Sequence, residues 1–237
     1  YISPKTPVTL SAIDPTINEV ACGVKYTEYR IDGSTWTTYA SEFTLSEGIR
    51  KVEFRSYDSL LNTEQTKTQI YYVDNTAPVS SLQAGEPNCI NHGEPVEKTH
   101  SYTVITSNTP ITITAQDPLV QEVASGVKET YYRIGDSSFI IHNSAFNISG
   151  ADGNYAVQYY SVDNVNNTEQ TKTSMLTLDN TPPQVEILLP SKDATGLCKI
   201  INGQVSIYGS VSDLHFKYYQ LLYAPIDTSD WKQVNEK

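Results

Sequence analysis

Residues Gly48 to Pro78 read GIRKVEFRSYDSLLNTEQTKTQIYYVDNTAP, and residues Gly153 to Pro183 read GNYAVQYYSVDNVNNTEQTKTSMLTLDNTPP. The second stretch is the first again, 105 positions on, taking Asp163 against Asp58. The shared core is Ser-x-Asp-x-x-x-Asn-Thr-Glu-Gln-Thr-Lys-Thr, closed by Asp-Asn-Thr-x-Pro. Self-similarity this long at one spacing marks repeated structural units. Function is then a property to seek in an array rather than in one cleft.

The flanks repeat as well. TPVTLSAID at 6–14 returns as TPITITAQD at 109–117. Val8, Leu10 and Ala12, and in the copy Ile111, Ile113 and Ala115, alternate with polar residues, the period of a strand with one buried face. Both stretches run into Asp-Pro, where the missing N–H ends regular pairing. VKYTEYRID at 24–32 returns as VKETYYRIG at 127–135, and comparing the copies selects the faces. Glu28, Arg30 and Arg133 should face water, leaving Tyr29, Ile31, Tyr132 and Ile134 inward. Along 50–57 the inward positions are Val52 and Phe54, matched by Val157 and Tyr159. Asp32-Gly33 reads as a hairpin turn, Glu47-Gly48 and Asp152-Gly153 as further turns. No segment carries a helical period. About seven short strands per repeat, separated by turn residues, predict an all-β chain of β-sandwiches.

Asp74-Asn75-Thr76-Ala77-Pro78 and Asp179-Asn180-Thr181-Pro182-Pro183 read as semi-stiff joints. Residues 79–108 should hold the first strand of the second unit and an excursion, GEPNCINHGEP. From Gln184 a third unit begins. Val211-Ser212-Asp213 sits where Ala12-Ile13-Asp14 sits, Tyr219, Leu221 and Tyr223 repeat an inward face, and Trp231 echoes Trp36. The expected organisation is 1–76 (first strand missing), 77–181 (complete) and 182–237 (an N-terminal half), a window of tandem sandwiches truncated at both ends. The neighbouring units would then belong to a longer chain or to further copies.

The formal net charge of −11 argues against a nucleic-acid partner, which asks for a basic face. No apolar run approaches the ~20 residues of a membrane helix. Cys22, Cys89 and Cys198 are odd in number and fit no finger or CxxC spacing.

The pattern Ala-x-Asp, then Ser/Cys-Gly-Val-Lys-x-x-x-Tyr-Arg-Ile, then Ser-x-Asp, Asn-x-Glu and Asp-Asn-Thr-x-Pro resembles a bacterial family of immunoglobulin-like tandem repeats. These occur in secreted and surface proteins and as accessory modules of secreted glycosidases. The resemblance spans both full repeats. It implies an immunoglobulin-like sandwich outside the cell or on its surface, acting as spacer, stalk, filament or adhesive module, with no catalytic centre. The enlarged 79–108 region departs from the pattern.

In that topology the loops after Asp14 and Asp58 share a pole, which would gather Asp14, Asp58, Asn62 and Glu64, and in the copy Asp117, Asp163, Asn167 and Glu169. Convergent carboxylate and amide oxygens suit calcium. The joints would add Asp74 to the second unit and Asp179, beside Asp213, to the third. The plainer alternative is that these residues cap turns and that Glu64 pairs with a lysine such as Lys25. Cys89-x-x-His92, near Glu86 and Glu94, offers too few ligands for zinc. A Cys89–Cys198 bridge would need the second and third units to touch. Trp36 and Tyr39, with Tyr26, could stack on sugar rings of surface glycans, although packing is the commoner role of such aromatics. His92, His100, His142 and His215 are scattered and should lie at the surface. Asn147 and Asn166 fit the glycan-acceptor pattern. No nucleophile elbow, zinc-protease helix or phosphate loop occurs. Two functions follow: a non-catalytic structural or adhesive array, or a carbohydrate-binding accessory region of a glycoside hydrolase.

Overall fold

The computed structural model describes residues 1–91, 102–189, 203, 205–225 and 227–234. The chain is all-β over these residues. The strands are β1 (Val24–Ile31), β2 (Thr37–Thr38), β3 (Gly48–Asp58), β4 (Lys67–Val73), β5 (Val79–Ala84), β6 (Asn88–Asn91), β7 (Tyr102–Ile105) and β8 (Ile111–Gln116). Then follow β9 (Val127–Ile134), β10 (Ile140–Ile141), β11 (Gly153–Asp163), β12 (Lys172–Leu178), β13 (Gln184–Leu189), β14 (Tyr208–Ser212), β15 (Leu222–Tyr223) and β16 (Lys232–Gln233). No helix among the described residues is long and apolar enough to cross a membrane, which leaves strand-built spans unaddressed.

The two copies of the quoted stretch make the same antiparallel sheet. The first runs β2-β1-β3-β4 and the second β10-β9-β11-β12, with Tyr29 opposite Phe54 and Tyr132 opposite Tyr159. Between β1 and β2, Asp32 and Gly33 both have positive φ, 50° and 77°, and Ser34 N–H closes the turn on Ile31 O. This is the primed hairpin geometry whose twist matches the strands.

The second sheet is extended by β7, parallel to β12, and by β6 beyond it. Part of the expected excursion is therefore strand. The parallel pair is also present in outline in the first copy, where Ile2 bridges Val73 as Ile105 pairs with Leu178. A second layer, β5 paired with β8, covers this sheet. Leu82, Ala84 and Ile111 from that layer meet Val157, Leu176, Leu178 and Ile134, closed by Ile105 and Ile148. Apolar area removed from water on two facing sheets is what holds a sandwich together.

The first copy has a separate core of Val8, Leu45, Val52 and Val73, lined by Ile31, Phe43 and Phe54. Of the inward sets read from alternation, Val8, Ile31, Val52 and Phe54 are inward here, while Leu10, Ala12 and Tyr29 are half-buried. The strand expected over 6–14 is not formed, and only Val8 bridges Phe43. Among the described residues no segment pairs with it as β5 pairs with β8.

Two other expectations are corrected. The charged face of the first sheet is not a simple solvated face. Glu53 is buried beneath Arg30 and Lys51, at 2.8 and 2.9 Å, and Arg55 meets Glu28 at 2.6 Å. Hydrogen bonds from Arg30 and Lys51, outweighing burial, hold the Glu53 carboxyl below its usual range. Beyond the second copy, β13 pairs with β14 as β5 does with β8, and β15 with β16 as β1 does with β2. Yet Tyr219 and Tyr223 are exposed, at 55% and 54%, rather than inward, and Leu221 is only half-buried; Trp231 is exposed too. The stretch that covers the equivalent residues elsewhere, β3 or β11, has no counterpart among the described residues.

Candidate functional site

Asp14 and Asp58 meet at one pole of the first sheet, Asp117 and Asp163 at the same pole of the second. Backbone bonds join the two loops in each case, Ser59 N–H to Gly23 O and Asn164 N–H to Gly126 O. Asp14 Oδ2 accepts the Cys22 and Gly23 N–H groups at 3.0 and 2.8 Å, and Asp117 Oδ2 accepts Gly126 N–H at 2.6 Å. Asp58 and Asp163 each organise the loop that follows. Asp163 Oδ1 accepts from Val165 and Asn167 N–H, and its Oδ2 accepts the Asn167 amide at 2.7 Å. Asp58 does the same for Leu60 and Asn62. The Asn62 amide, then the loop N–H groups against a smaller burial cost, hold Asp58 below the usual carboxylate range.

The predicted set therefore divides. The four aspartates converge in pairs. Asn62 and Asn167 are hydrogen-bond donors to Asp58 and Asp163. Glu64 and Glu169 point elsewhere. Glu64 pairs with Lys67 at 2.7 Å, not with Lys25. Glu169 accepts from Ser80 N–H at 2.9 Å, Ser80 Oγ at 2.5 Å, Ser161 N–H at 3.1 Å and Lys172 at 2.6 Å. It ties β5 to β11 across the sandwich. Burial alone would raise its carboxyl, but Lys172 and Ser80 outweigh that and hold it low.

The joint completes the second pole. Asp74, the residue after β4, is fully buried and its Oδ2 accepts Ser125 N–H at 2.7 Å. Its carbonyl accepts the Asn167 amide at 3.1 Å. Asp74, Asp117 and Asp163 each place a carboxylate oxygen within 4.8 Å of the others. Asp117 Oδ1 and Ser125 Oγ are buried without a hydrogen-bond partner. Burial first, then the Asp74 and Asp163 charges, push the Asp117 carboxyl up. The counterpart in the first copy is Asp14, Cys22 and Asp58, which is more open, and in the third Asp179, Asp213 and His215, where His215 Nδ1 lies 2.5 Å from Asp179.

Sequence reasoning missed how each joint is gripped. Glu47 Oε1 accepts Asn75 N–H and, at 2.6 Å, Thr76 Oγ1. Asp152 does the same for Asn180 N–H and Thr181 Oγ1, at 2.9 and 2.5 Å. Asp74 and Asp179 cap the Thr76 and Thr181 N–H groups in turn. From the far side, Gln121 packs so near Gly48 that an added Cβ there would come within 2.8 Å of its Oε1. The repeated acid-Gly pairs, noticed as turns, were the available signal.

The other candidates are placed as follows. Trp36 is half-buried with the Arg30 and Arg55 guanidinium carbons 4.7 and 4.2 Å from its ring centroid. Tyr39 packs edge-on against Tyr29 and Phe43, and Tyr26 stacks on Tyr57. Cys22 and Cys89 are exposed thiols. Cys198, His92, Glu94 and His100 lie outside the described residues, and with them the proposed bridge and Cys-x-x-His pair. Two of the four histidines are not surface groups. His142 packs on Tyr132 and Phe146, where burial lowers its pKa, and His215 is engaged at the third pole. The Asn147 amide is bonded to Ser107 O and Thr109 O.

No family model matches the chain, and no curated protein matches it. Among solved structures it is similar to the fibronectin(III)-like modules of Clostridium thermocellum CbhA, at 10% identity over 73% of this chain and 83% of that one. The TM-score is 0.35, too low to carry a structural argument.

Proposed function

We propose that this chain is a non-catalytic structural or adhesive repeat array acting outside the cell, as part of a stalk, filament or surface layer. Its units are 1–76, 77–181 and 182–237, and its natural partners are neighbouring repeats. The observation that carries the reading is the joint. Asp74 to Pro78 is gripped by Glu47 on one side and by Ser125 and Asn167 on the other, and Pro78 is fully buried. A connector bonded from both ends transmits orientation, which a spacer requires and a tether does not. The sequence resemblance supports the extracellular setting.

Small-angle scattering on the 237-residue chain tests this. A single elongated envelope is expected, loosened when Glu47→Ala and Asp74→Ala are combined. Scattering of freely jointed units in the unaltered protein would reject the reading. The accessory-module alternative gains no support from Trp36, whose ring packs over two arginines. Retention on a polysaccharide that Trp36→Ala abolishes would favour it instead.

A further inference from the structure

We propose that the joint between the first two copies binds one calcium ion through the carboxylates of Asp74, Asp117 and Asp163 and the hydroxyl of Ser125. The proposal needs only the joint, and it stands or falls apart from the array reading.

Charge is the first argument. Three carboxylates converge within 4.8 Å. Among the described residues no lysine, arginine or histidine forms an ion pair with any of them. Buried like charges are costly unless a proton or a cation intervenes. Hydrogen bonding is the second, independent argument. Loop N–H groups and the Asn167 amide satisfy one or both oxygens of each carboxylate. Asp117, its side chain buried in the cluster, is left with Oδ1 unpartnered, and Ser125 Oγ beside it is unpartnered too. Buried polar atoms are nearly always paired, so two orphaned oxygens at one acidic cluster ask for an electropositive occupant.

The donor chemistry selects the ion. All the candidate ligands are hard oxygens, which disfavours zinc. The carboxylates sit at the end of a strand, in a loop and in a linker, a setting that suits the adaptable shell of calcium better than the strict octahedron of magnesium. Four protein groups, some bidentate, with water would supply the roughly six to eight oxygens calcium takes. The other poles are different sites. In the first copy Cys22 stands where Ser125 stands, and among the described residues no third carboxylate joins Asp14 and Asp58. In the third, an imidazole already lies against Asp179.

The test is a calorimetric titration of the chelator-treated 237-residue chain with calcium chloride, paired with melting curves. One saturable site is expected, with Kd near the ~10⁻⁴–10⁻³ M range of extracellular modules. At saturation Tm should rise by at least about 5 °C. Asp117→Asn should weaken binding by about tenfold or more while raising the calcium-free Tm, because it removes a repelling charge. That rise separates lost binding from lost folding. Asp14→Asn should leave the isotherm unchanged. The absence of heat and of any Tm shift overturns the proposal, as does an isotherm lost with Asp14→Asn and kept with Asp117→Asn. An equal response to magnesium overturns the choice of ion.

Discussion

TPVTLSAID and TPITITAQD are near-identical in pattern, yet only the second becomes a strand. Ile111–Gln116 lies in register with Val79–Ala84, whereas the earlier copy makes a single bridge at Val8. Local sequence supplies the alternation, but a ladder also needs a partner for every other N–H and C=O. The glutamates repeat the lesson. Each glutamate pairs with the lysine three residues on, but Glu169 is also buried against Ser80 of β5, and among the described residues no such strand lies beside Glu64. Identical motifs therefore carry different weights in the two copies, and the weight follows the neighbour.

The largest test of this contrast is in the cores. Ile111→Ala should cost about 2–5 kcal/mol, while Val8→Ala, in the less covered copy, should cost roughly 1–2 kcal/mol. Urea midpoints for the two transitions would decide it, and equal losses would break the comparison. Next are the glutamates. Glu169→Gln weakens bonds to buried donors and should cost about 1–3 kcal/mol, against less than about 1 kcal/mol for Glu64→Gln.

A smaller effect should have opposite signs at the two poles. Asp58 is held low in the folded state, so its stabilisation is present above the unfolded carboxylate value, near ~3.9, and is lost as pH falls through the lower folded value. Asp117 is held high, so without a bound cation its ionisation removes stability as pH rises from that unfolded value through the raised one. In chelator, the Tm difference between wild type and Asp117→Asn should therefore widen with pH above ~4 and then level off. The corresponding difference for Asp58→Asn should shrink on acidification. The smallest effect is in the pole hairpins, where Asn18-Glu19 and Gln121-Glu122 all have positive φ. Such backbone favours glycine, so Glu19→Gly and Glu122→Gly should each stabilise by a few tenths to about 1 kcal/mol in thermal melts.

The faces of the long strands were legible because burial writes a period of two into the residues. Val52, Phe54, Ile134 and Val157 could be placed from alternation and from comparing copies. The aspartate pairs were legible too, through the topology that resemblance supplied. What alternation cannot write is reach between distant positions. Glu47 meets Thr76, Ser80 meets Glu169, and Asp74 meets Ser125 only after the sheets have closed. Glu53 looked like a surface charge because a single strand does not show Arg30 lying across it. The parallel pairing of β7 with β12 is likewise silent in either strand alone.

The grip of Glu47 on Thr76, and of Asp152 on Thr181, has a geometric consequence. Glu47 fastens its connector through one oxygen, whereas Asp152, one methylene shorter, uses both of its oxygens. For any chain that repeats either fastening, one fixed rotation and one fixed translation are applied over and over, and the product of such steps is a superhelix. Its handedness and pitch would be set at acidic side chains rather than in the cores, and Glu47→Asp or Asp152→Glu would show how far one methylene turns the connector.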